Sequence, residues 1–169
     1  MDKWNGIMKV ISFEHLSKNG EILYKEENLL NILHYEGEEL ILKILFSGEV
    51  VPSNYYIGLD SRTSLQASSG IGSVYGYEPI ANAYTRQAVQ SSSFSVITTN
   101  SGNRQAKSPT LLFRAIGGSW GPVRNIFLAN GLGYSNQVAL ISSTSLSRNI
   151  TVEDGEIITM RMGMALSNC

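Results

Sequence analysis

Cysteine is nearly absent from this chain: Cys169 is the single one, so no internal disulfide can hold the fold. Charge is scarce as well, at 16% Asp, Glu, Lys and Arg, against about a quarter in ordinary soluble domains. The net charge is -1 and no basic cluster occurs, so there is no electrostatic case for nucleic acid or a membrane surface. Long apolar runs are missing: the richest, residues 40–46, falls far short of the roughly 20 residues that cross a bilayer. The opening "MDKWNGIMKV" has no cationic stretch feeding an apolar one, so no signal peptide is expected and folding in a cytosol is. There are two histidines, His15 and His34, and no HExxH. No metal, cofactor or catalytic residue is therefore expected.

What the chain does have is strand-like pattern punctuated by glycine and serine. Its 169 residues suit one domain with a real core. Residues 7–13 and 21–25 flank Asn19-Gly20 and predict an N-terminal hairpin. From Asn28 to Gly48 the apolar residues recur every three to four positions, which predicts an amphipathic helix capped by Asn28 and ended by Gly48. Gly37 within it allows a break or a close contact. Beyond Pro52, strands are expected at 54–60, 84–90, 94–99, 110–116, 123–130, 137–143 and 156–166. In the last of these, Ile158, Met160, Met162, Met164 and Leu166 alternate onto one face and read as core. The expected fold is mainly β: an antiparallel, jelly-roll-like β-sandwich with an N-terminal hairpin and one amphipathic helix. Residues 1–50 would form the hairpin-helix unit, packed on or projecting from a sandwich of residues 51–169.

Motifs of chemistry are thin. "GIGSVYG" (70–76) has no following lysine or helix to cradle a phosphate. Ser119 in "GGSWG" lacks the nucleophile-elbow spacing. Asp60, Glu153, Asp154 and Glu156 are the carboxylates a hydrolase could use, but Asp154-Gly155 reads as a hairpin turn and "DGE" supplies too few ligands for calcium. Glu38, four residues after His34, reads as a helix-surface hydrogen bond. In "GGSWGPV" (117–123), Gly117-Gly118 ends a strand, Gly121-Pro122 makes the corner and Val123 begins the next strand. Trp120 would fold back to plug the sandwich. The long connection 61–83 is expected to protrude, with Tyr75, Tyr77 and Glu78 as contact residues. Trp4, Tyr24, Trp120 and Arg124 complete the interface candidates.

The succession "LLNILHYEGEELILKILFSG" (29–48), "NYYIGLDSRTSL" (54–65), "GYEPIANAYTRQAV" (76–89), "GGSWGPVRNIFLA" (117–129) and "VEDGEIITMRMGMAL" (152–166) resembles small virion structural proteins of tailed bacteriophages. The resemblance covers most of the chain after residue 28. It implies a non-enzymatic part of the particle, made in the host cytoplasm and located in the virion. Its partners would be the major capsid protein or neck and tail proteins, and it would itself be a homo-oligomer. A capsid cement or decoration protein is the leading expectation, and a neck, tail or baseplate component the alternative. A carbohydrate-binding module on a tail appendage is a further one, with Tyr75, Tyr77, Tyr84 and Trp120 lining a groove.

Overall fold

The structure, a computed structural model, describes residues 4–99, 102 and 104–168, with backbone alone for 4–8 and 166–168. Its elements in chain order are β1 (Trp4–Leu16), β2 (Ile22–Leu30), β3 (Ile32–Leu33), α1 (Tyr35–Phe46), β4 (Asn54–Asp60) and β5 (Gln87–Gln90). There follow β6 (Ser95–Thr98), β7 (Arg104–Lys107), β8 (Leu111–Arg114), β9 (Trp120–Ala129), β10 (Leu140–Val152) and β11 (Ile157–Asn168). The protein is mainly β, with two antiparallel sheets and one α-helix. One sheet runs β2-β1-β11-β7-β6, with β8 pairing β11 beyond the end of β7; the other runs β3-β10-β9-β4-β5.

The N-terminal hairpin forms as predicted, turning at Gly20 with φ 85°. Its first strand pairs with β11 from Trp4↔Asn168 to Leu16↔Ile157. Val10 and Phe13 thereby enter the same core as Ile57, Leu59, Ile126 and Leu128, so residues on both sides of position 50 share one hydrophobic interior. The alternation read in β11 places Ile158, Met160 and Met162 in that core, with Met164 half-buried at its rim.

The predicted helix is too long. Asn28, Leu29 and Leu30 belong to β2, and α1 begins only at Tyr35. Leucines spaced to suit a helix also suit a strand, and pairing with β1 out to Lys9↔Leu30 wins. Asn28 sits at φ 55° inside β2 rather than capping the helix. His34 occupies the N-cap without a side-chain cap bond; only its carbonyl receives the Glu38 amide. No Glu38 side-chain bond to His34 forms: the His34 ring turns inward to Ser143. Gly48 follows the helix end at φ 73°. Gly37 makes the close contact its position allowed, because a Cβ there would lie 2.7 Å from the Ile141 Cα on β10.

Other boundaries shift as well, the most in the strand expected over 137–143, which is found as β10 (Leu140–Val152). β5 starts at Gln87, β9 starts at Trp120 before the cis Gly121-Pro122 bond, and a strand not foreseen, β7, pairs with β11. The Asp154-Gly155 turn joins β10 to β11, which lie in different sheets, so it is a crossing and not a hairpin. Asp154 Oδ1 holds it by accepting the Gly117 amide at 2.8 Å and the Gly118 amide at 3.3 Å.

The segment 61–83 does not protrude. Along β9, Ile126 and Leu128 face the sandwich interior while Phe127 and Ala129 face outward. That outward face is covered by Ile71 and Val74, the two buried residues of a 3-10 turn over Ile71–Val74, with Leu140, Tyr134 and Val138 beside them. The Phe127 ring lies across Gly58, its cross-strand partner, where a Cβ would meet ring carbon Cε1 at 2.6 Å. A second small core thus forms on the outside of the sheet.

Candidate functional site

One polar residue of the 61–83 segment, Glu78, is buried in the protein. Glu78 is 7% exposed and receives Arg86 through Nε at 3.0 and 3.1 Å and Nη2 at 2.7 Å. Tyr84 Oη donates to Glu78 Oε1 at 2.8 Å and Tyr134 Oη to Oε2 at 2.6 Å. Arg86 Nη1 donates to the Gly131 carbonyl at 2.8 Å, and the guanidinium stacks over the Phe127 and Tyr134 rings. Burial and then the Glu78 charge push the Tyr84 hydroxyl well above its ordinary pKa. For Arg86, burial opposes the charge, but the bonds and charge of Glu78 outweigh it and raise the pKa. Five hydrogen bonds leave this carboxylate no open lone pair for a substrate.

A second buried carboxylate is also held from within the fold. Asp60 accepts from Arg62 Nε at 3.0 Å, the Arg62 amide at 3.0 Å and Asn125 Nδ2 at 3.0 Å. Arg62 also lies 4.7 Å over the Tyr77 ring. Its Nη2 is 3.0 Å from Asp60 Oδ2, an ion-pair distance without hydrogen-bond alignment. Glu36 of α1 reaches across to the amides of Ile71 at 2.9 Å and Leu140 at 2.7 Å. His15 and Glu156 pair at 2.7 Å, and Glu156 also takes the Glu153 amide. These groups act as staples between segments. Among the described residues, no three of His, Cys, Asp and Glu are placed to hold a metal, and no helix is long and apolar enough to cross a membrane.

The interface candidates separate into inside and outside. Trp120 is 6% exposed, packs edge-on against Tyr84 at 5.7 Å and donates from Nε1 to the Asn82 carbonyl, so it plugs the core. Glu78 is internal and has beside it the Arg86 cation that a buried carboxylate requires. Tyr84 stacks on Phe113. The aromatic groove imagined from Tyr75, Tyr77, Tyr84 and Trp120 therefore does not assemble on the surface. Tyr24 is half-buried against Phe13, bonds Ser147 Oγ at 2.7 Å and carries Arg148 over its ring. Arg124 is half-buried on β9. Tyr75 and Tyr77 are exposed, Tyr75 leaning edge-on against Tyr134. Trp4 lies in β1 opposite Asn168, and its side chain is outside the described residues.

A bare apolar surface lies elsewhere. α1 carries two apolar stripes: Leu40, Ile41 and Ile44 are half-buried, whereas Leu42, Leu45 and Phe46 face solvent, Phe46 at 80% exposure. Val50 and Val51 extend this surface, Val50 at 82% exposure. Beside it opens a groove of about 370 Å³ between α1 and the β6–β7 hairpin, lined by Ile41, Ile44, Leu45, Tyr55, Val96 and Met164 among others. An adjoining cavity continues past Val51 and Phe94 to the core residues Leu128 and Met162. The signal for this surface was present in "EELILKILFSGEVV" (38–51), which holds more apolar positions than one helix face can bury.

Compared with known protein families, the chain matches none, and it matches no curated protein sequence.

Proposed function

We propose that the protein is a non-enzymatic structural component of a phage particle, most specifically a capsid-associated cement or decoration protein. It would be held by its neighbours through the apolar surface of α1 and residues 50–51. The observation that carries this reading is that surface itself. Leu42, Leu45, Phe46, Val50 and Val51 are all exposed on one short stretch of a chain with little charge to keep it apart from partners. The buried acids support the reading from the other side, since Glu78 and Asp60 are spent on holding the fold. Binding to an assembled lattice in preference to its free subunits would stabilise the shell by linkage, and repeated weak contacts would add through multivalency. A position in the neck, tail or baseplate uses the same surface and is the second reading.

The test is co-sedimentation of tagged protein with particles of the phage that encodes it. Wild type should pellet with the particles. Phe46→Glu, at a side chain 80% exposed in the free fold, should keep its unfolding midpoint and pellet about tenfold less, a loss of about 1.4 kcal/mol in binding. Wild-type protein that stays wholly in the supernatant would contradict the proposal.

A further inference from the structure

Five strands of the two open sheets have an unpaired side, β2, β6 and β8 in one and β3 and β5 in the other, and four of them are guarded. β3 is two residues long and runs into α1. β5 and β8, in facing sheets, lie beside each other. β2 is covered by the irregular part of β10: the Ser147 amide and hydroxyl both donate to Glu26, and Arg148 Nη2 donates to the Leu23 carbonyl. β6 is the exception. It pairs with β7 from Ser95↔Lys107 to Thr98↔Arg104, and among the described residues no strand lies on its other side.

β6 is short, four residues, and Arg104 of β7 donates to Thr98 Oγ1 at its end, but its own sequence carries no residue that blunts an edge. All four of its residues are exposed, Val96 at 70%, and the stretch "SSSFSVITT" (91–99) contains neither a charged residue nor a proline. Natural edges are ordinarily blunted by lysine, proline or a bulge. Val96 points into the groove beside Leu45, so the edge is continuous with the bare apolar surface.

We propose that β6 is a self-association edge, where two copies of this chain pair β6 to β6, antiparallel about a two-fold axis, with Val96 opposite Val96. A second copy is the fitting occupant because an antiparallel strand edge is complementary to itself: each outward amide meets the same strand's carbonyl in the copy. The two-fold axis perpendicular to the sheet keeps Val96 of both copies on one face, where cross-strand valines pack directly. A net charge of -1 does not oppose the approach. The sandwich sheet then continues across both copies and the two grooves open on the same side. This names the homo-oligomer contact within the structural role proposed above and rests on that reading.

The test is the solution mass of the purified full chain by light scattering at rising concentration, for wild type and for Val96→Lys. Wild type should approach twice 18.5 kDa at about 100 μM, and Val96→Lys should weaken the dimer about tenfold or more with unchanged circular dichroism. In a Cys169→Ser background, Val96→Cys should form an intermolecular disulfide with diamide, and Leu132→Cys in the exposed β9–β10 connection should not. Wild type that stays monomeric, Val96→Lys that dimerises as well as wild type, or Val96→Cys that cross-links no faster than Leu132→Cys would each overturn the proposal. A monomer that still pellets with particles overturns the dimer alone. A dimer that never pellets overturns the particle reading and leaves the edge pairing intact.

Discussion

Arg86 and Glu78 meet inside the protein, Nη2 to Oε2 at 2.7 Å, with both side chains only 3% exposed. This pair joins the end of the 61–83 segment to the lead-in of β5, and through the Gly131 carbonyl it reaches the β9–β10 connection. Removing one partner strands the other charge. Arg86→Leu should therefore cost about 3–5 kcal/mol in urea unfolding, and Arg86→Leu/Glu78→Leu together should cost less than the sum of the singles. Additive losses would show that the two do not act as a pair.

Ile71 and Ile80 lie nine residues apart in the same connection, yet one is 1% exposed and the other 90%. Ile71→Ala should lower stability by about 2–4 kcal/mol through the cavity left against Phe127 and Leu140. Ile80→Ala should change it by no more than about 0.5 kcal/mol. Equal effects would mean that the connection is not part of the packed fold.

The fold was legible where a single pattern ruled. The 54–60 strand appears with the boundaries read from "NYYIGLD", and the methionines of β11 fall on the core side. It was illegible where two patterns overlapped, as at Leu29 and Leu30, whose fate was decided by the distant partner strand β1. The 61–83 segment misled because its apolar residues are few and irregularly spaced. Ile71 and Val74, three apart, were the signal of a tight turn with one buried face. Glu78 looked like a surface acid because Arg86, eight positions away, meets it only through the turn containing Asn82 and Ala83 at φ 56° and 64°.

Gly37 is where α1 touches β10, with the Ile141 backbone filling the place of a side chain. Backbone cannot rotate away as a side chain can, so Gly37→Ala should lower stability by about 1–3 kcal/mol despite better helix propensity. Thermal unfolding of the variant checks this, and a raised midpoint would mean that α1 is free to lift off the sheet.

His34 is fully buried with Nε2 bonded to Ser143 at 2.8 Å, while Nδ1 makes no hydrogen bond. Burial lowers its pKa below 6.5, opposed in part by the nearby backbone of Gln66 and Ala67 and by Glu36, and reinforced by Arg62. The folded state thus binds the proton less readily than the unfolded chain. The contribution of His34 to stability is complete above the unfolded pKa and is lost as pH falls below it, down to the folded pKa. Denaturant midpoints of wild type and His34→Gln should accordingly converge between pH 7.5 and 5.5. A constant difference across that range would contradict the assignment; the other histidine, His15, is common to both proteins and cancels.

Under the proposed function, the apolar stripe of α1 is where neighbours would hold this protein. Hydrogen–deuterium exchange on particle-bound against purified protein tests that most directly. Amides of residues 42–51 should become protected on the particle, with 95–98 already slow in the purified dimer. Protection confined to the segment around Tyr75 and Tyr77, with 42–51 unchanged, would place the contact elsewhere and contradict it.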